Sequence, residues 1–525
     1  MVILKQPEYN NLGYNAGAKG NSSRHAWLQY ADDACVVTSN VKNAQCLLNL
    51  FQAWCNWSGL ELRNDKCVAF SMMKKDKKYQ QILPTLNICS KSIPQVPLGG
   101  EFKYLGKTFE FDTSLNSVKT QLQEKLTKML TITDKLKISV QLKMRIFSQY
   151  IQAQMLFELK IYDLTPTWVE QTLDSLCSKF IREWLELPIS ACLNEVLILP
   201  KNQGGFGMNS FKMLADKMHL IKRHALINSH DDDLISIAYV TVNSNCRIDE
   251  YIAANNTVDT AKKSLKSDYV KTAAQHILNL QLQGQSFKEI HRMITKPNIS
   301  IWSKAMESIS ATKLIFARKA LSQVLPTAAN LVRWKRSTDP ICHQYTSGLP
   351  QTNKHVLSNC SSDIALRRYT KRHDDILTIL MSWIKSELPV TSLLYADLPC
   401  SDCLSISDLF VNCRPDIAVC DRRNITILEL TVCHETNLEK SRNFKVTKYA
   451  NIEHSRTAAA TQLNVALFTC EVSTLGFISD ISTFAKNCKL PKMPESVKSA
   501  IINSAISNSY SIYCNRNNSN AIINN

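Results

Sequence analysis

The most constraining stretch of this chain is a β-branched run with one acid in its middle. Ile425-Thr426-Ile427-Leu428-Glu429-Leu430-Thr431-Val432 reads as a strand. A turn at Asp421-Arg422-Arg423-Asn424 and a shorter strand, Asp416-Ile417-Ala418-Val419, precede it. Side chains alternate faces along a strand, so Ile425, Ile427 and Glu429 share one face, opposite Leu428 and Leu430. A carboxylate on such a strand is costly to bury unless a cation compensates it. From His434 to Ala450 the charges Glu435, Glu439, Arg442, Lys445 and Lys448 recur at helical spacing, so a helix follows.

The chain has 525 residues, room for about three or four domains at roughly 150 residues each. Hydrophobic residues at 45% and charged residues at 20% argue against a mostly disordered protein. No apolar run approaches the ~20 residues of a membrane span, so no membrane partner is expected. The first residues lack a basic stretch followed by an apolar one, so the protein is expected to be nuclear or cytoplasmic, not secreted. The 18 cysteines then read as reduced thiols with one metal site among them, not as a disulfide framework. With 62 basic against 45 acidic side chains, the net charge of +17 favours polyanions, nucleic acid first. Residues 1–24 are polar and Gly/Asn-rich and read as a loop. Residues 117–190 are helical in period and basic, and the tail beyond Ser499, dense in Asn and Ser, reads as mostly unordered.

Two further clusters carry chemistry. Trp27-Leu28-Gln29-Tyr30 and Ala34-Cys35-Val36-Val37 flank Ala31-Asp32-Asp33, a hairpin with two carboxylates at its tip. Such a pair is either a solvated turn or a holder of Mg²⁺, which favours oxygen ligands. Ala44, Leu47, Leu48, Phe51, Trp54 and Cys55 make the next segment a helix, capped by Ser39 or Asn40 and ended by Gly59. Cys342-x12-His355-x4-Cys360 supplies three metal-type ligands where a tetrahedral zinc site normally wants four. The alternative there is a packed, metal-free remnant.

In order, Tyr30-Ala31-Asp32-Asp33, the helix, Gly59-Leu60 followed by Lys66, and Phe102-Lys103-Tyr104-Leu105-Gly106 resemble the last part of a reverse-transcriptase palm. The resemblance implies a catalytic metal ligand at Asp32 with Asp33 beside it. It implies that Lys66 helps protonate pyrophosphate, and that Tyr104 and Leu105 grip the primer. Pro200-Lys201-Asn202-Gln203-Gly204-Gly205-Phe206-Gly207 resembles a segment downstream of the thumb in non-LTR retrotransposon proteins. Those proteins carry Cys-x2-Cys…His-x4-Cys where this chain has Cys342, Tyr345, His355 and Cys360. The flanks Leu325-Pro326-Thr327, Arg333-Trp334 and Arg372-His373-Asp374 match as well.

Pro415-Asp416, Glu429 thirteen residues later and a lysine on the next helix resemble the PD-(D/E)xK nuclease constellation. In that family two carboxylates hold Mg²⁺ and the lysine orients water or stabilises developing charge. Thr431 stands where most such nucleases keep lysine. The restriction-like endonucleases of site-specific non-LTR retrotransposons share this departure and use a Lys-x-x-Lys-Tyr helix, here Lys445-Val446-Thr447-Lys448-Tyr449. Lys445 is the first candidate and Lys448 the reserve.

The resemblance implies a multidomain α/β plus α protein, the C-terminal part of a non-LTR retrotransposon polyprotein. Its expected parts are partial palm hairpins (1–115), a helical thumb (116–208), a helical linker (209–335), a Cys/His knuckle (336–363), a PD-(D/E)xK-like α/β nuclease (364–498) and the tail (499–525). It would nick target DNA and copy element RNA, with Mg²⁺ or Mn²⁺ at Asp32, Asp33, Asp416 and Glu429, and Zn²⁺ at Cys342, His355 and Cys360. Lys119, Lys125, Lys128, Tyr104 and Arg414 would touch nucleic acid. The family places a further palm Asp upstream, and 29 residues precede Tyr30, so this chain alone is expected not to extend a primer. The rival readings are a captured nucleic-acid-binding protein and a relic without catalysis.

Overall fold

The computed structural model describes residues 9, 11–18, 21–111, 115–230, 246–344, 348–399, 403–405, 410, 414–449 and 464–517. The chain forms two compact units. One comprises Met1–Thr131, Tyr150–Ser175 and Phe211–Lys266; the other comprises Ile132–Gln149, Leu176–Ser210 and Ser267–Asn525. The lines of division cut across the segments expected as thumb and linker, because helices far apart in sequence share one core.

The first unit begins with antiparallel hairpins: β1 (Tyr14–Ala18) with β2 (Asn21–His25), and β3 (Trp27–Tyr30) with β4 (Asp33–Val36). The first of these corrects the expected loop over 1–24. Backbone pairing holds it: Tyr14 N donates to the Val37 carbonyl, and a Cβ at Gly13 would lie 2.6 Å from the His25 backbone. Helix α1 (Val41–Ser58) follows; the Asn40 side chain accepts from Asn43 N at 2.8 Å, and Gly59 closes it at φ 73°. Hairpins β5 (Ser71–Lys75) with β6 (Lys78–Ile82), β7 (Asn87–Ile88) with β8 (Lys91–Ser92), and β9 (Glu101–Tyr104) with β10 (Lys107–Glu110) complete this part. Ala69, Ile88 and Ile93 pack against Leu48 and Phe51 of α1. Helix α2 (Asn116–Lys135) buries Val118, Leu122, Leu126 and Leu130, one face at four-residue spacing.

The second unit holds a five-stranded sheet of order β12-β11-β13-β14-β15: β11 (Leu393–Ala396), β12 (Leu404–Ser405), β13 (Ile417–Cys420), β14 (Asn424–Cys433) and β15 (Asn464–Ser473). Strand β13 is antiparallel to β14, and β14 is parallel to β15, as a strand–helix–strand crossover requires. Four helices matter to the site: α3 (Lys296–Ser308), α4 (Asp363–Glu387), α5 (Leu438–Tyr449) and α6 (Glu495–Cys514). Trp302 of α3 stacks on Phe477 at 4.3 Å and donates to the Leu475 carbonyl at 2.7 Å, which fixes the chain after β15. The Pro200–Gly207 segment closes on itself. Gly204 lies at φ 84°, its carbonyl accepts from buried Arg318 at 2.8 Å, and the guanidinium stacks on Phe206 at 4.0 Å.

Helix α6 corrects the expectation of an unordered tail beyond Ser499. Its Ser and Asn residues are those of a loop, yet Ile501, Ile502, Ala505, Ile506 and Ile512 fall on one buried stripe. Residues 518–525 of that expected tail lie outside the described residues. No helix among the described residues is long and apolar enough to cross a membrane.

Candidate active site

In the second unit the β13–β14 register pairs Ile417 with Leu428, which sets Asp416 against Glu429 across the ladder. Each carboxylate is held by the backbone beside the other. Glu429 Oε1 accepts from Asp416 N at 3.1 Å, and Asp416 Oδ2 accepts from Leu430 N at 2.8 Å. Alternation sends Glu429 to the face covered by α5, where Lys445 Nζ lies 2.6 Å from Glu429 Oε2 and 3.5 Å from Asp416 Oδ2. Glu429 is fully buried and Asp416 nearly so. Lys448 is exposed; its Nζ donates to Tyr449 Oη at 3.2 Å, and that hydroxyl donates to the Arg414 carbonyl at 3.1 Å. The structure thus brings Asp416, Glu429 and Lys445 together, with Lys448 to one side.

The electrostatics expose a shortage of positive charge. Burial, with the Asp416 charge second, pushes Glu429 up to about 7 even though Lys445 opposes the shift. Burial also pushes Asp416 up, but the His373 hydrogen bond and charge, with Lys445, win and hold it below the usual carboxylate range. Burial alone would lower Lys445, and the two carboxylates raise it instead. Even with Lys445 and His373 beside the two buried acids, Glu429 stays raised, and a divalent cation would relieve it, so Asp416 and Glu429 fit such an ion.

Two groups here were not singled out for this site in the sequence. His373 of α4 puts Nε2 3.5 Å from Asp416 Oδ1; its only signal was the Arg372-His373-Asp374 triplet. Glu471 of β15 is fully buried and accepts from Arg442 of α5 at 2.6 Å, which ties that helix to the sheet. Nothing in local spacing marked it. Arg414, a candidate nucleic-acid contact, is exposed but its guanidinium sits 2.5 Å from Asp397, so its charge is already paired.

Cys342, His355 and Cys360 also converge, all buried and with ligand atoms within 4.8 Å of one another. His355 Nε2 is buried without a hydrogen-bond partner, and burial pushes the imidazole toward its neutral, ligating form. These residues fit three ligands of a zinc ion. Position 345 lies outside the described residues.

In the first unit Asp32 and Asp33 stand exposed at the β3–β4 turn, where Ala31 adopts φ 53°. Tyr104, at the end of β9, faces the same hairpin: burial raises its hydroxyl, and the charges of Cys35 and Asp33 add to that. Leu105 and Gly106 form the β9–β10 turn at φ 49° and 77°. Lys66 ends a short helical turn, is exposed, and makes no ion pair with Asp32 or Asp33. Along α2, Lys128 is exposed, and Lys119 is half-buried and engaged within the protein. Lys125 departs from the expectation of a free phosphate contact. Its Nζ lies 2.6 Å from Glu158 and donates to the Gln154 carbonyl at 2.7 Å, because the helix over Leu156–Ile161 packs beside it.

No family model matches the chain. It is 21% identical to the retrovirus-related Pol polyprotein from type-2 retrotransposable element R2DM of Drosophila melanogaster, over 420 residues, 78% of this chain and 38% of that protein. It is 22% identical to the retrovirus-related Pol polyprotein from type-1 retrotransposable element R2 of Nasonia vitripennis, over 381 residues, 71% of this chain and 34% of that protein. Over most of its length the chain is similar to retrotransposon Pol polyproteins, those of R2 elements, and it spans little more than a third of the length of those relatives.

Proposed function

We propose that Asp416, Glu429 and Lys445 form the site of a divalent-metal-dependent DNA endonuclease, within a reverse transcriptase/endonuclease that copies element RNA at a nicked DNA target. The observation that carries this reading is the pair of buried carboxylates across the β13–β14 ladder with one lysine reaching both. Asp416 and Glu429 would hold Mg²⁺ or Mn²⁺, which when bound neutralises phosphate charge and makes water acidic enough to attack. Lys445, held by both acids, is placed to orient that water or to meet charge developing on the phosphate. Burial strengthens each of these interactions, because little solvent screens them. The Cys342/His355/Cys360 cluster is read as a structural zinc site of the same unit. The β3–β4 turn with Asp32 and Asp33, and the Tyr104 hairpin beside it, are read as the metal and primer side of a polymerase palm, with Lys66 on its flank.

The test is nicking of supercoiled DNA by the full chain. Mg²⁺ or Mn²⁺ should support it, and Ca²⁺, which binds such sites without activating water, should not. Asp416→Ala or Glu429→Ala should abolish nicking with DNA binding nearly intact, and Lys445→Ala should cost a factor of ~10²–10³, as lost transition-state charge contacts do. Cleavage at the wild-type rate in both carboxylate variants would end the nuclease reading and favour a captured binding protein.

A further inference from the structure

His373 is not among the residues assigned above, yet it reaches the same carboxylate from a different element. It sits on α4 next to Arg372, which is fully buried and anchors that helix: Nη1 donates to the Leu357 carbonyl at 2.8 Å and to Ser509 Oγ at 3.1 Å. From that fixed helix the imidazole bridges two acids. Nδ1 lies 3.1 Å from Asp374 Oδ1, and Nε2 lies 3.5 Å from Asp416 Oδ1.

The two oxygens of Asp416 have different duties. Oδ2 is taken by Leu430 N and approached by Lys445, whereas Oδ1 faces His373. The oxygen available to an ion is thus the one beside Nε2. A carboxylate on Nδ1 fixes a histidine's tautomer and turns the Nε2 lone pair outward, the arrangement that orients metal-ligating imidazoles. In the metal-free fold Nε2 is placed to donate to Asp416 Oδ1, and an ion joining the two would take that proton's place. Adjacent donors around an octahedral ion with bonds near 2.1 Å stand about 3 Å apart, so these two need close by only a fraction of an ångström.

We propose that His373 is a nitrogen ligand of the ion held by Asp416, oriented by Asp374. The proposal rests on the nuclease reading and adds a preference to it. Replacing an oxygen donor by imidazole favours Mn²⁺ over Mg²⁺ and Ca²⁺, which choose all-oxygen shells. Asp374 is then a positioning residue.

The experiment is pulsed electron paramagnetic resonance on the full chain loaded with Mn²⁺ alone, without DNA. The wild type should show imidazole nitrogen coupled to the bound ion, and labelling histidine with ¹⁵N should replace the ¹⁴N pattern. His373→Gln should lose the signal and weaken Mn²⁺ binding on the order of 10²-fold, with a smaller loss for Mg²⁺ measured by competition. Asp374→Asn should keep the signal but weaken binding about 10-fold, within the range for outer partners of ligands. Asp416→Ala should lose both signal and ion, which excludes a contribution from His355. The wild-type spectrum needs no variant, so poor folding of His373→Gln leaves the test intact. Mn²⁺ bound through Asp416 without coupled imidazole would overturn this proposal and leave the two-carboxylate site standing. Mn²⁺ binding indifferent to Asp416→Ala would overturn both.

Discussion

At the scale of the residue, Glu429 would couple binding of the proposed metal to protons. Its carboxyl sits at about 7 in the metal-free fold, so below that pH an ion must displace a proton to bind. Metal affinity, measured by calorimetry, should rise about tenfold per pH unit below this value and level off above it. The sign for stability runs the other way. Between the ordinary 4.5 and about 7 the folded chain keeps a proton that the unfolded chain has released. Metal-free stability should therefore fall as pH rises through that window, and Glu429→Gln should flatten the decline in thermal melts. Bound metal should abolish it. Strand alternation set Glu429 apart in the sequence and helical period put Lys445 on a following helix, while the grouping of Asp416, Glu429 and Lys445 was expected from the resemblance to the PD-(D/E)xK pattern. His373 and Glu471 were not legible there, because an upstream helix and a parallel neighbour strand deliver them, and no short-range spacing encodes tertiary placement.

Among the elements, α4 links the Cys/His cluster to the candidate site. Arg372 spans from the helical turn at His355–Asn359 to α6, and His373 follows it directly. Burial pushes the Arg372 guanidinium down to about 10, which makes its hydrogen bonds the condition for keeping it charged inside the fold. Arg372→Ala would strand the Leu357 carbonyl and cost about 3 kcal/mol in chemical denaturation. It should also weaken zinc binding, read with a colorimetric chelator; zinc affinity equal to wild type would break the link. Elements with strong periodicity, such as α1 and the β13–β14 hairpin, could be read directly. Two others hid behind composition. The small polar residues of β1 and β2 resemble a loop until backbone pairing is counted, and α6 carries an isoleucine stripe inside loop-like Ser and Asn.

For the whole molecule the governing number is the net charge of +17, but individual lysines do not share it equally. Association with DNA should weaken by about 10³-fold or more between 50 and 200 mM salt if several phosphates are contacted. Lys128→Ala should lower the slope of log affinity against log salt by about one unit. Lys125→Ala should leave that slope alone, because Glu158 already neutralises its ammonium. Equal effects from both variants would mean that the internal ion pair yields to phosphate. Helix α6 has a consequence in a different currency. It packs Ile501, Ile502, Ala505 and Ile506 into the unit that houses Asp416, and its Ser509 receives Arg372. A premature stop codon inside α6 would leave every candidate ligand encoded yet expose that interior to proteases. A gene for this chain can therefore lose its folded product by a nonsense change well past the last candidate residue, with the whole Asp416/Glu429/Lys445 pattern still encoded.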